Sequence, residues 1–311
     1  MDPRSQLAAS ERAVDGHLLA GGAIVRATLD PRVLEATPEE LDLVLDQVEP
    51  ELVQLSEGLA RPVPNDTFHV ALLLLGQRAR SLFRGFTILA GSDAPTAAMA
   101  LLRPTTEINL ILRFIVAKPQ LHSEIWVAEG ERQSLLLIRE FAADGELKAK
   151  LGEEVDLNAE WITERHEYVE EVRAKARAAG VAGVSKSASK PVLPGMRTIA
   201  RNHGDLATRE AYTFAYRALS QDIHTGSRAF NAGEFIAHDD GTASFRELAD
   251  PQHEVRRHRQ LNASTFASTL SILSGPLQLD VFGPASALRD ALVSAKLVSD
   301  PHEWANERSD G

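Results

Sequence analysis

TFHVALLLLGQRARSLFRGFTILAGSDAPTAAMALLRPTTEINLILRFIVAKP, residues 67–119, decides the fold. Its first half has apolar residues at helical spacing and predicts a helix over about 67–90, stopped at Gly91. A second helix begins almost at once, with Ser92 or Asp93 as its cap. A link this short predicts two antiparallel neighbours. The second helix, 97–116, is apolar in every direction, from Met99 and Leu101 through Ile108 to Val116. A helix of that kind belongs in the middle of a bundle.

Working outward, helical signals dominate. TPEELDLVLDQVEPELVQLSEGLA offers Thr37 as N-cap, Pro38 at the first helical position, and Glu39 and Glu40 in the first turn, with Pro50 as a kink or break. ARPVPND, 60–66, reads as a boundary. EGERQSLLLIREFAADGELKAKL and LNAEWITERHEYVEEVRAKARAAG predict two more helices. GVAGVSKSASKPVLPG, 180–195, predicts a flexible loop, and a further helix follows over about 206–229. EFIAHDDGTASFREL alternates around Asp-Asp-Gly and predicts short strands at 234–237 and 242–245. A last helix spans about 252–274. The expected fold class is all-α: an antiparallel helical bundle with a small β-hairpin near 234–245. The expected division is an N-terminal helical extension at 1–60, a main domain at 67–275 and a tail at 276–311.

The totals bound the chemistry. The chain of 311 residues carries a net charge of −11 and no cysteine. Thiolate metal sites, disulfides and a cysteine nucleophile are excluded. An acidic chain meets nucleic acid only through a local basic patch, and HEVRRHR at 253–259 is the candidate run. The longest apolar run, VALLLLG, is too short for a membrane span, so a soluble cytoplasmic protein without a membrane partner is expected. No metal or cofactor is expected.

The candidate site lies in AYTFAYRALSQDIHTGSRAF, 211–230. At 100° per residue, Tyr216, Arg217, Ser220 and His224 share one face, opposite an apolar face with Tyr212, Leu219 and Ile223. That polar face is a wet surface, a structural seam or a functional site. The apolar helix at 97–116 carries Arg103 and Glu107 one turn apart, in the less favourable order for a local ion pair. Glu107 is therefore expected to find its partner among Arg217, His224, Tyr216 and Ser220. GVAGVSKS lacks the second glycine of a phosphate loop, and TERHEYVEE lacks the Glu-x-x-His spacing of di-iron bundles.

The Arg-x-x-x-Glu helix at Arg103 and Glu107, followed by Tyr-x-x-x-Ser-x-x-x-His at Tyr216, Ser220 and His224, resembles a family of bacterial helical proteins of unknown function. The resemblance covers about residues 67–275, implies a shared polar cluster and brings no activity. Pro104, directly after the Arg, departs from its pattern. Arg217 and His224 also resemble the Arg and His of HEPN domains, helical bundles that often act as metal-independent ribonucleases at a dimer interface. That likeness implies His224 as acid or base and Arg217 as phosphate clamp, although Ala218 stands where those nucleases carry a polar residue. Two functions are expected from these readings. The first is a non-catalytic module that binds a protein or small ligand. The alternative is a HEPN-like endoribonuclease of toxin or phage-defence type, acting on RNA as a homodimer.

Overall fold

The structure is a computed structural model that describes residues 38–92, 95–146, 159–204, 209, 212, 233–237, 243–247 and 251–279. The described part is helical apart from one small pair of strands. Helix α1 spans Pro38–Leu55 and runs through Pro50 into a 3₁₀ turn, Ser56–Ala60. Helix α2 spans Thr67–Ala90. Asp66 caps it, accepting the His69 backbone N–H at 3.0 Å and the His69 ring Nδ1–H at 2.7 Å. Gly91 closes it. A 3₁₀ turn, Pro95–Ala98, leads into α3, Met99–Ala117, which continues through Pro104.

Helix α4 corrects the expected boundary. It begins at Pro119, one residue after α3 ends, and runs to Ala143. Pro119 sits at the first helical position, where its missing N–H is no loss. Helix α5 spans Ala159–Ala178, and a short helix α6, Met196–His203, stands between the loop predicted at 180–195 and the helix predicted at about 206–229. Strands β1, Gly233–Ala237, and β2, Ala243–Glu247, pair antiparallel with Phe235 opposite Phe245. Helix α7 spans Pro251–Ser274. No helix among the described residues is long and apolar enough to cross a membrane. The caps proposed at Thr37 and Asp93, and most of the expected helix at 206–229, lie outside the described residues.

Helix α3 packs against α2, α4, α6 and α7, and α7 packs in turn against α1 and α2. Leu102, Leu110, Leu112, Phe114 and Ile115 on α3 are buried. Phe83 on α2 stacks on Phe266 on α7, with ring centroids 4.3 Å apart. Burying each such ring contributes about 1.5–3 kcal/mol. Gly76 lets α2 and α7 approach, since a Cβ there would lie 2.9 Å from Leu273 Cδ1. Tyr212, on the face the sequence assigns to the core, packs partly buried against it.

Helix α7 is buried without being apolar: Asn262, Ser264, Ser268, Thr269 and Ser274 are all inside. Small residues allow close packing, and most of their hydroxyls find carbonyls or α3. Asn109 donates to Ser268 Oγ at 3.1 Å and Thr269 Oγ1 at 3.0 Å, while Arg113 donates to Asn109 Oδ1 and Ser268 Oγ. Asn262 and Ser264 are exceptions, with neither amide atom of Asn262 nor the Ser264 hydroxyl hydrogen-bonded among the described residues.

Helix α1 is fastened to α7 by charge as well as by Leu45, Val48 and Leu52, which share the core. Arg259 donates to Glu49 at 3.1 and 3.0 Å and to Asp46 at 2.9 Å, and lies 3.5 Å from Asp42. Burial alone would lower the Arg259 pKa, but these carboxylates raise it. Arg259 of HEVRRHR is therefore committed to carboxylates of α1, while the side chains of Arg256 and Arg257 lie outside the described residues.

Candidate functional site

Of the expected cluster, Arg103 and Glu107 lie among the described residues, where they meet each other. Arg103 Nε donates to Glu107 Oε1 at 3.2 Å, and the two side chains are 26% and 31% exposed. The local pair forms despite its order, because both groups reach the rim of the core, where neither needs full desolvation. Tyr216, Arg217, Ser220 and His224 lie outside the described residues. The structure therefore brings together Arg103 and Glu107 of the predicted cluster.

A different site is built where α3, α4, α6 and the 181–195 segment meet. The end of α3 delivers Phe114, and the start of α4 delivers Lys118 and His122. Helix α6 delivers Thr198, Asn202 and His203. These residues, with Gly180, Val181 and Pro194, line a cleft of about 180 Å³. His122 lies parallel on Phe114, with centroids 3.8 Å apart, and is only 2% exposed. His203 meets both rings edge-on, at 5.4 and 5.6 Å.

His122 Nδ1 donates to the Phe114 carbonyl at 2.5 Å. A carbonyl only accepts, so Nδ1 carries the proton and Nε2 presents a lone pair when the ring is neutral. Nε2 has no partner among the described residues. Burial lowers the His122 pKa, and the positive charges of His203 and Lys118 lower it further against the pull of the Phe114 carbonyl. Burial, then Lys118, lowers His203. Both rings are therefore neutral at pH 7, and the cleft offers hydrogen-bond acceptors beside the exposed ammonium of Lys118. Among the described residues no group of three or more His, Asp or Glu is placed to hold a metal ion.

The wall of the cleft corrects the flexible-loop reading. Residues 181–195 are irregular but tied at both levels. Arg173, 2% exposed on α5, donates to the carbonyls of Ser185, Ala188, Lys190 and Pro191 at 2.9–3.4 Å. From the other side Glu129 on α4 accepts the Val192 N–H at 2.8 Å and the Leu193 N–H at 3.4 Å. Burial would raise the Glu129 pKa, but Arg132, Val192 N–H and Gln133 outweigh it and hold the carboxyl below its ordinary range. Gly180 leaves α5 at φ +69°, and Gly183, at φ +86°, passes so close to α6 that a Cβ would lie 3.2 Å from Thr198 Cγ2. The loop turns carbonyls toward a cation. Within GVAGVSKS it is the Ser185 carbonyl that meets this cation, whereas a phosphate loop would turn N–H groups toward an anion.

The sequence reading misses His122, His203 and Lys118. The one local signal was Lys118 four residues before His122 at a proline-started helix. Their meeting with His203 is a tertiary fact.

Fold and site define an all-helical protein with a neutral two-histidine cleft beside a braced loop. The chain belongs to the family of unknown function DUF5677, whose model matches residues 69–243. The match takes in α2 through α6, and so the whole cleft, while α1 and α7 lie outside it. No curated protein and no solved structure matches the chain.

Proposed function

We propose that the protein is a non-catalytic binding module whose recognition site is the Phe114–His122–His203 cleft. Its helices form an antiparallel bundle, with the hairpin as an appendage. Residues 67–275 make the main domain, with 1–60 as an extension and 276–311 as a tail. One observation carries the functional reading: a buried, neutral His122 whose Nδ1–H is spent on the protein and whose Nε2 lone pair is not. A ligand bearing an N–H or O–H donor would meet that lone pair in a hydrogen bond worth about 0.5–1.5 kcal/mol net. The stacked rings favour a small planar ligand.

Imidazole NMR signals of the full chain, titrated with an uncharged nucleoside as a planar donor, test this. The His122 and His203 signals shift in the wild type, and the His122 signal stays put in His203→Ala. Unmoved wild-type signals would remove the reading. The HEPN-like nuclease, with His224 and Arg217 at RNA, rests on sequence spacing. RNA cleavage by the wild type that His224→Ala abolishes would establish it in place of the binding module.

A further inference from the structure

A chain with 44 acidic residues holds none between Val172 and Gly204. That run carries Arg173, Lys175, Arg177, Lys186, Lys190, Arg197 and Arg201. Arg173 is consumed by the loop carbonyls, and Lys175 pairs with Glu171 and Glu124. The remaining five, and Lys118 at the rim of the cleft, are exposed. None has a side-chain hydrogen bond or ion pair among the described residues. Arg197 and Arg201 stand one turn apart on α6, a like-charge spacing that costs a helix about 0.2–0.5 kcal/mol. No carboxylate among the described residues pairs with either of them. Lys186 and Lys190 sit on the loop that Arg173 and Glu129 brace through its backbone, so their placement is fixed before anything binds. Arg177 lines a second recess of about 510 Å³ that shares Gly180 and Val181 with the histidine cleft.

We infer that this face binds the phosphate backbone of a single-stranded nucleic acid, with one base seated in the Phe114–His122–His203 cleft. The inference rests on the cleft reading above. Several elements contribute the cations, which suits a polymer crossing the face rather than one bound ion. A membrane is disfavoured because the exposed large apolar residues, Leu74, Ile88, Leu136, Leu137 and Trp161, all lie outside this run. An acidic peptide would use the cations but not the neutral acceptors. A nucleotide uses both, its phosphate on the cations and its base edge on the acceptors, and only an unpaired base reaches a recess this small.

Fluorescence anisotropy of the full chain with labelled RNA and DNA oligomers of about twelve nucleotides tests this. Binding weakens with salt, with a log–log slope of about −2 to −4 for three to six neutralised phosphates. Lys186→Glu with Lys190→Glu, and Arg197→Glu with Arg201→Glu, each lower affinity by about tenfold and flatten the slope. His203→Ala weakens binding and leaves the slope unchanged. Preference between the RNA and DNA arms reports whether the 2′-hydroxyl is read. No binding at about 20 mM salt, or equal binding by both double variants with intact melting curves, overturns the proposal. So does binding to phosphatidylserine vesicles without binding to oligomers. Nucleoside shifts at His203 without oligomer binding would sink the basic face alone, whereas loss of both would sink the cleft as well.

Discussion

Arg173 faces inward from α5 and satisfies four carbonyls of the 181–195 loop, while Arg177, one turn further on, is exposed with no side-chain partner among the described residues. The same contrast holds across the molecule. Arg259 is half-buried among the carboxylates of α1, and Arg197 and Arg201 meet none among the described residues. A saturated buried cation costs several kcal/mol to disrupt, because its partners are left desolvated and unmet. An exposed lone cation contributes almost nothing to folding. The first group therefore shapes the protein, and the second is free to meet something else.

Substitutions order themselves along that contrast. Arg173→Ala is expected to cost about 3–5 kcal/mol, since it strands loop carbonyls and the neighbouring ion pair. Hydrogen exchange at Val192 and proteolysis within 181–195 would rise together. A folded Arg173→Ala variant with an unaltered loop would break the comparison. Arg259→Ala leaves Glu49 buried without its cation and is expected to cost about 3 kcal/mol in urea unfolding.

Gly183→Ala forces a left-handed residue against Thr198 and is expected to cost about 1–2 kcal/mol, with a smaller melting shift than Arg173→Ala. The charge reversals at Arg197 and Arg201 come last, with stability unchanged within about 0.5 kcal/mol. A large loss there would mean that those cations serve the fold after all.

Acid sharpens the same comparison, and the signs differ in origin. Glu129 has a lowered pKa when folded, so its stabilisation is complete above the ordinary carboxylate value of 4.5 and is lost as pH falls through the folded value. His122 and His203 are also lowered, which means the folded state resists their protonation. Below the ordinary value of 6.5 the unfolded chain takes up protons that the folded chain refuses, and stability falls. Wild type should weaken between neutral pH and about pH 5, and His203→Gln should flatten that limb of the curve.

Some of this is written locally. Helix α2 is legible at both ends because Gly91 stops it and the apolar period runs through it. The central place of α3 is legible because no face of it is polar enough to be left wet. Helix α6 is missed because eight residues carry too little period to separate from a loop. The order of 181–195 is missed for a different reason: its small and polar residues are those of a mobile loop, and what fixes it is an arginine from α5 and a glutamate from α4. The local Arg103–Glu107 pair is discounted in the sequence because of its order, and it forms where both side chains are partly exposed, a quantity that a helical wheel does not contain.

The sequence by itself determined the helical class, the extent of α2, the absence of thiol chemistry and a run of 33 residues, 172–204, without a carboxylate. Caps, periodicity and charge are properties of neighbours along the chain. Only the tertiary structure decided which cations are spent and which are not, and that His122 meets His203 across 81 positions. Pairing and burial depend on groups brought from distant elements, and the desolvation that moves a pKa or fixes a loop exists only once they have met.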